Sequence, residues 1–376
     1  MTSLYRAEVI GSLLRPAHLK QARLRWENGQ LSTREFKRIE DTAVDEALAL
    51  QEQSGVDVMT DGEMRRTHFI APLTDVISGI KPIPAFRRIW KRPHEPNQQG
   101  EQTEIQVQYA VVDKIRRLRT LTAEEYTYTR ARARRPLKVT LPSPLMMALR
   151  WSPQYSRDAY PDPFDLFADA AEIVKEEAQE LAALGCEYVQ IDAPELGMLC
   201  DPERRQRDFA DAGIEPNRLL NEGVDLLNSV ASAGGVTFGL HLCRGNNRGY
   251  YVGEGGYGAV ARQVFGRAKN FKVILLEYDD WRSGSFEPLG EMPQDRGVVL
   301  GLVSTKRTEL EPSESLIERI EQAARYYPRD QLALSTQCGF GTVWEGNPIS
   351  HDTQAAKLRL VADVAHQVWP DGEKPI

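Results

Sequence analysis

Residues 216–243 read PNRLLNEGVDLLNSVASAGGVTFGLHLC, and this stretch contains the unit from which the fold is built. From Pro216 to residue 233 the Leu and Val residues recur at helical spacing behind a proline start, and Gly234-Gly235 ends the helix. Residues 236–240 then run almost wholly apolar, as a strand buried on both faces does, and deliver His241 and Cys243 at the carboxyl end. Residues two apart on an extended chain point to the same side, so the imidazole and the thiol leave the strand together.

The same unit repeats along the chain. Strand-like runs fall at 8–12, 56–60, 137–141, 187–191, 236–240, 272–276, 298–303 and 331–335. Helical patterns separate them. Ser32 and Glu35 form a capping box ahead of one that stops at Ser54-Gly55, and others cover 163–184, 216–233, 258–269, 313–326 and 353–368. Eight strands alternating with helices predict a (β/α)8 TIM barrel, with 1–376 as a single domain. A doubly wound open sheet is the competing arrangement, but no G-x-G-x-x-G follows a first strand, and Gly253-Glu254-Gly255-Gly256 does not follow a strand directly. Residues 80–113 are too long for a βα loop. They contain a turn-like Pro96-Asn97-Gln98-Gln99-Gly100 between runs that pair as a hairpin, an insertion suited to a lid or an oligomer contact.

Composition narrows the function classes. The 47 basic and 54 acidic residues leave a net charge of −7, which argues against a nucleic-acid surface, and the basic run Arg130–Arg135 reads as a solvated face. No apolar run reaches the length of a membrane span, and MTSLYRAEVIG lacks the apolar stretch of a signal peptide, so a cytoplasmic protein is expected. Four cysteines in a chain of this size do not make a disulfide framework, so they are core thiols, metal ligands or nucleophiles.

Barrel enzymes carry their chemistry at the carboxyl ends of the strands. Those ends are Ile10-Gly11-Ser12, Asp61-Gly62-Glu63, Pro142-Ser143-Pro144, Asp192, His241-Leu242-Cys243, Glu277, Ser304-Thr305-Lys306 and Cys338-Gly339. His-x-Cys alone equally fits a buried His beside a buried Cys. With Glu277 and Cys338 facing the same space, His241 and Cys243 complete a four-ligand set for zinc. Cys186 and Cys200 read as inert core thiols.

The motifs VIGS (9–12), DGE (61–63), VQID (189–192), HLC (241–243), LLE (275–277) and QCG (337–339) resemble, in order and spacing over almost the whole chain, the catalytic barrel of cobalamin-independent methionine synthase. GLVSTK and STQCGF are similar to its short, single-barrel relatives, and 376 residues accommodate only the catalytic one of the two barrels found in the bacterial and plant enzymes. The resemblance implies zinc on His241, Cys243, Glu277 and Cys338, with Glu277 as the weakly held ligand. It implies a homocysteine site at Ile10, Gly11 and Ser12 with Glu63 and Asp192, acids suited to an ammonium group. Two thiolates and a carboxylate would keep a zinc-bound substrate sulfur nucleophilic.

Two features depart from the family pattern. The family's general-acid His is absent: Ser304-Thr305-Lys306-Arg307 stands in its place, leaving Lys306 or His68 as the candidate acid. The folate-contacting acid is also missing after Asp192-Ala193-Pro194-Glu195, where Met198 falls nearby, and Trp151 reads as a gap filler. The thiol side is intact while the donor side is rewritten. The expected activity is zinc-dependent methyl transfer to a small-molecule thiol, from 5-methyltetrahydrofolate or another donor to homocysteine, by a protein that forms a homo-oligomer and binds neither nucleic acid nor membrane. A zinc thiol alkyltransferase resembling epoxyalkane:coenzyme M transferase is the alternative, for which Arg15, Arg65, Arg66 and Arg244 are the nearby cations. A non-catalytic zinc-binding barrel is the third reading.

Overall fold

A computed structural model of the chain describes residues 3–94, 100–120, 122–370, 372 and 374–375. Nine of its strands bear on the site. In chain order they are β1 (Ala7–Glu8), β2 (Ile80–Lys91), β3 (Gln102–Val111), β4 (Val139–Pro142), β5 (Tyr188–Asp192), β6 (Thr237–Leu242), β7 (Val273–Glu277), β8 (Gly297–Val303) and β9 (Leu332–Thr336). Seven of them form one parallel sheet in the order β1-β9-β8-β7-β6-β5-β4. Residues 58–59 close the ring, Val58 bridging Glu8 and Met59 bridging Leu137, both parallel. The architecture is the expected (β/α)8 barrel of the TIM type.

The second strand is shorter than its apolar run predicts, and a side chain explains why. Beyond Met59 the backbone of Thr60 is taken by the buried amide of Gln51, which accepts from Thr60 N at 3.0 Å and donates to Thr60 O at 2.9 Å. The first strand likewise stops at Glu8 rather than at residue 12. Gln190 Nε2 donates to Ile10 O and Thr60 Oγ1 to Gly11 O, so side chains replace the ladder where the chain reaches the barrel mouth.

The helices follow their local signals. The helix Thr33–Ser54 starts at the Ser32/Glu35 capping box and ends at Gly55, whose φ of 85° is left-handed. Asp162 caps Pro163–Ala183 through Phe164 N. The predicted 216–233 helix is broken into Pro216–Arg218, a wide π turn at Leu219–Gly223, and Val224–Val230. A Cβ at Gly223 would lie 3.0 Å from Leu145 Cδ1, so the wide turn rests close against the helix layer's neighbour. Arg130, Arg132 and Arg135 of the basic run bind Leu184 O, Asp45 and Val56 O in turn. Among the described residues, no helix is long and apolar enough to cross a membrane.

Strands β2 and β3 pair antiparallel as the hairpin expected at 80–113, while residues 96–99 of its turn lie outside the described residues. Its outer end is tied to the loop after β6, Lys91 and Tyr251 exchanging backbone hydrogen bonds of 2.8 and 2.7 Å. Inside the barrel, Ile10, Val58, Tyr188, Val273, Leu275, Val299 and Ala333 form an apolar cluster. Beside it the fully buried Lys138 donates 2.7 Å hydrogen bonds to Glu8 and Gln190, and Tyr188 reaches Glu8 at 3.3 Å. Burial pushes the Glu8 carboxyl above its ordinary range, and the Lys138 ammonium opposes that. Lys138→Met would leave Glu8 without its cation, at an expected cost of about 3–5 kcal/mol of unfolding free energy. Urea titration at unchanged m-value measures it, and the double variant Glu8→Met/Lys138→Met is expected to recover most of the loss.

Candidate metal and thiol site

Inward-facing positions alternate along each strand, and at the carboxyl ends they turn from apolar to polar. Val273 and Leu275 of β7 are followed by Glu277, Gly239 of β6 by His241 and Cys243, and Tyr188 of β5 by Gln190 and Asp192. The candidate ligand atoms of His241, Cys243 and Cys338 lie within 4.8 Å of one another, and all three residues are buried. The Cys338 thiol hydrogen-bonds the Cys243 sulfur. This lowers the proton affinity of Cys243 and, with burial, raises that of Cys338.

His241 is oriented from its own neighbour in the sheet. Asp192 pairs with it across β5 and β6, and Asp192 Oδ1 lies 2.7 Å from Nδ1. Burial works against the imidazolium, but this carboxylate and the Cys243 sulfur outweigh it. A carboxylate on Nδ1 fixes the ring and leaves Nε2 to serve as a ligand. Asp192 Oδ1 is held in turn by Gln190 Nε2 at 2.7 Å. The sequence reading made Asp192 a substrate contact only, although register between two strand ends was a signal for this pairing.

The turn carrying Cys338 is fixed by amides. Gln337 accepts from Thr305 N at 2.6 Å, Asn246 donates to Gly339 O at 2.9 Å, and Thr336 Oγ1 donates to Cys338 O. Gly339 has no room for a side chain, since a Cβ there would fall 2.1 Å from Ser12 Oγ. Gly11 is constrained similarly, with Glu63 Oε1 2.6 Å from where its Cβ would be.

A cavity of about 380 Å³ spans the barrel mouth. Its wall brings together Ile10, Gly11, Ser12, Glu63, His68, Asp192, His241, Cys243 and Cys338. Glu277 and Lys306 are not on this wall. Glu277 Oε1 accepts from Lys306 Nζ at 2.6 Å, and its Oε2 accepts from Arg244 N at 2.7 Å. Burial alone would lower the Lys306 pKa, but Asp279 and Glu277 outweigh it and hold the side chain as an ammonium, the reverse of what a neutral-pH acid needs. His68 does reach the cavity, where burial lowers its pKa and Nδ1 has no partner among the described residues.

Glu63 is aimed by its turn. It adopts φ 53° beside Gly62 at 69°, an uncommon conformation for a residue with a side chain. Asp61 accepts from Glu63 N at 2.9 Å, and Arg15 donates to Glu63 O at 3.0 Å. Its carboxylate receives Thr140 Oγ1 at 2.8 Å and lies 3.7 Å from Arg66, and Oε2 is buried without a partner among the described residues. The sequence reading missed this support, as it missed Glu195. Burial raises the Glu195 carboxyl to about 8 although Ser143 donates to it at 2.5 Å. It also left open which hairpin residues face the site: Trp90, Gln106, Gln108 and Tyr109 do. Arg15, Arg65, Arg66 and Arg244 do not line the cavity, whereas Arg150 does. Met198 lines it as well, while Trp151 packs in the core with Nε1 on Tyr160 O. Cys186 and Cys200 are buried apart from the group.

A TIM barrel with His, Cys and Cys gathered at its mouth beside two acids has the donor set of a metal-binding barrel, and comparison with known sequences gives its family. Residues 6–367 match the catalytic domain of the cobalamin-independent synthases. The chain belongs to that family, the cobalamin-independent methionine synthases. It is 32% identical over 370 residues to the uncharacterized Bacillus subtilis protein YxjG, covering 97% of this chain and 95% of that one. It is 24% identical over 339 residues to a methionine synthase of Saccharolobus solfataricus, covering 88% and 86%. A Listeria monocytogenes structure assigned as a vitamin-B12-independent methionine synthase superposes with a TM-score of 0.73 at 26% identity, covering 98% of this chain and 99% of the other. A Shewanella B12-independent methionine synthase, solved with selenomethionine, shares the fold at 20% identity and TM-score 0.72, covering 98% of each chain.

Burial raises the Glu63 carboxyl from 4.5 to about 7. The folded chain therefore binds this proton more tightly than the unfolded chain does. The stabilisation is full below about 4.5 and is lost as pH rises through about 7. Glu63→Gln cannot ionise, so its thermal midpoint is expected to gain on the parent's across that window. A difference independent of pH would refute the assignment.

Proposed function

We propose that the protein is a zinc-dependent S-methyltransferase that methylates homocysteine to methionine. The observation that carries this reading is the single cavity in which His241, Cys243 and Cys338 lie with Glu63 and Asp192. Two buried thiols and an imidazole oriented from behind suit zinc, and Glu277 is the fourth candidate ligand, one strand away from His241. Zinc held there would lower the proton affinity of a substrate thiol.

The remaining roles fall to the protein's own groups. Glu63, when ionised, pairs with the substrate ammonium, and Asp192 adds negative potential while keeping His241 in place. Ser12 and the backbone around Gly11 face the substrate carboxylate. The S–CH3 bond forms as the donor's CH3–N bond breaks, and the donor nitrogen takes up a proton. His68 is the group placed to carry that proton, because it lines the cavity with Nδ1 unpartnered among the described residues; burial disfavours its imidazolium, so it gives up a proton readily once it has taken one. The 80–113 hairpin supplies the donor-side wall through Trp90, Gln106, Gln108 and Tyr109.

A sulfonate thiol would be recognised by cations, and Arg150 is the arginine on the cavity wall that keeps the coenzyme M alternative testable. Purified protein is offered homocysteine or coenzyme M with 5-methyltetrahydrofolate, methylated thiols or an epoxide. Methionine formed from homocysteine supports the proposal, and transfer to coenzyme M alone overturns it. About one zinc per chain is expected, and Cys243→Ser or Cys338→Ser should lower both zinc content and turnover by about 10²-fold or more. A folded, fully active zinc-free protein would refute the metal's role. His68→Gln should lower turnover while leaving zinc content unchanged.

A further inference from the structure

Glu63 has a cation beside it that is turned elsewhere. The Arg66 guanidinium directs Nε and Nη2 to Glu125 Oε2, at 3.2 and 2.9 Å, and Nη1 to Thr140 Oγ1 at 2.9 Å. Thr140, on β4, directs its one hydroxyl proton to Glu63 Oε1 at 2.8 Å. Between Arg66 Nη1 and Glu63 Oε1 there remain 3.7 Å, longer than a hydrogen bond. The series Glu125, Arg66, Thr140, Glu63 therefore ends at the cavity with a neutral hydroxyl as its spacer. Glu125 lies on the helix Ala123–Arg130, whose start is pinned by Glu177 Oε1, which accepts from Thr122 Oγ1 at 2.9 Å and from Ala123 N at 3.0 Å. The Arg66 backbone is fixed as well, its N–H donating to Glu63 O at 3.1 Å and its carbonyl accepting from Arg15 Nε at 3.0 Å. Only the side chain is left to choose between the two acids. Burial works against the Arg66 guanidinium, but Glu125, ahead of Glu63 and Asp61, outweighs it and raises its pKa.

We propose that Glu125 is a positioning residue that keeps the Arg66 guanidinium off Glu63 and so leaves the Glu63 carboxylate to the ammonium group of the substrate. The inference rests on the zinc thiol-transfer reading above and names the device by which that site selects a thiol bearing an amino group. A guanidinium and an ammonium compete for one carboxylate. The arginine fork matches a carboxylate with two parallel hydrogen bonds, so Arg66 released from Glu125 would close the gap and take both Glu63 oxygens. Glu63 Oε2, buried and without a partner among the described residues, would then be filled from within the protein. A guanidinium held there would also repel an incoming ammonium across a poorly solvated site. Engaged with Glu125, the same guanidinium has its charge balanced in a pair whose side chains are only 4% and 13% exposed. Thr140 meanwhile orients Glu63 through a neutral hydrogen bond and adds no charge to compete with the substrate.

The test is calorimetric titration of the full-length, zinc-loaded protein with homocysteine and with its deamino analogue, the same thiol and carboxylate without the amino group. Zinc content and near-ultraviolet circular dichroism establish that each variant is folded and loaded. The parent is expected to prefer homocysteine over the analogue by about tenfold or more. Glu125→Gln should weaken homocysteine binding about tenfold while leaving the analogue within about threefold, and Glu125→Asp should restore the preference to within about threefold. In an Arg66→Met background, Glu125→Gln should have no further effect on the preference. Thr140→Val removes the spacer, lets Arg66 meet Glu63 directly and should shift the preference the same way, and it serves if Glu125→Gln does not fold. An unchanged preference in Glu125→Gln overturns the inference, as does an equal loss for both ligands, which would make Glu125 a support of the fold only. A parent that binds both thiols equally overturns the Glu63–ammonium pairing and this inference while the zinc–thiol chemistry stands. A zinc-loaded parent that binds neither overturns the thiol-transfer reading itself.

Discussion

A closed ring of parallel strands has one interior, and every second residue of every strand must enter it. That constraint governs this molecule from the apolar cluster to the mouth. The residues that fill the barrel around Leu275 and Val299 and those that create its site are successive members of the same inward rows, so Val273, Leu275 and Glu277 differ in height rather than direction. The buried Glu8–Lys138 pair occupies the same interior, with Gln190 and Tyr188 satisfying it. Gln190 then links the two regions, since its Nε2 reaches both Ile10 O and Asp192.

Gathering so much acid at one mouth demands that each charge be managed. The structure uses a different means for each group. Asp192 is placed on His241, Glu277 on Lys306 and the Arg244 amide, and Arg66 stands near Glu63 while also binding Glu125. Glu195 has no cation beside it among the described residues, and burial raises it to about 8, which keeps it protonated at neutral pH and able to share a short hydrogen bond with Ser143. Glu63 lies between these cases at about 7, close to the point where a cation entering the cavity decides its charge. A carboxylate in that condition suits recognition of an ammonium group better than one already neutralised by a permanent partner.

Sequence reading succeeded where chemistry is local to a strand. Apolar runs bounded by Gly185 or Gly234-Gly235 located the barrel strands, and His241 with Cys243 announced a shared direction two residues apart. It overran β1 and the 58–59 segment because nothing in an apolar run reveals that Gln51 or Gln190 will take over the ladder hydrogen bonds. It treated the 216–233 helix as continuous because helical periodicity does not distinguish an α turn from the wide turn at Leu219–Gly223. Lys306 shows the same limit at the site. Its place at a strand end was legible, but its direction was set by Asp279 and Glu277, partners that become neighbours only when the barrel closes.

The hairpin forms one wall of the cavity and is supported separately from the group at the strand ends. Trp90 lines the cavity with its indole N–H buried and without a partner among the described residues, and Gln106, Gln108 and Tyr109 face the same space. The hairpin is docked rather than loosely draped: Arg204 donates to Ile89 O at 2.9 Å, and Lys91 pairs with Tyr251. Gly245, two residues beyond Cys243, has φ 83°, and a Cβ there would lie 2.8 Å from the Trp90 ring. The loop leaving β6 is therefore shaped to admit the hairpin, while His241 and the Cys338 turn are fixed separately by Asp192, Gln190 and the amides around Gln337. Because the two sets of supports are separate, the wall contributed by the hairpin can change its polar groups without moving His241, Cys243 or Cys338.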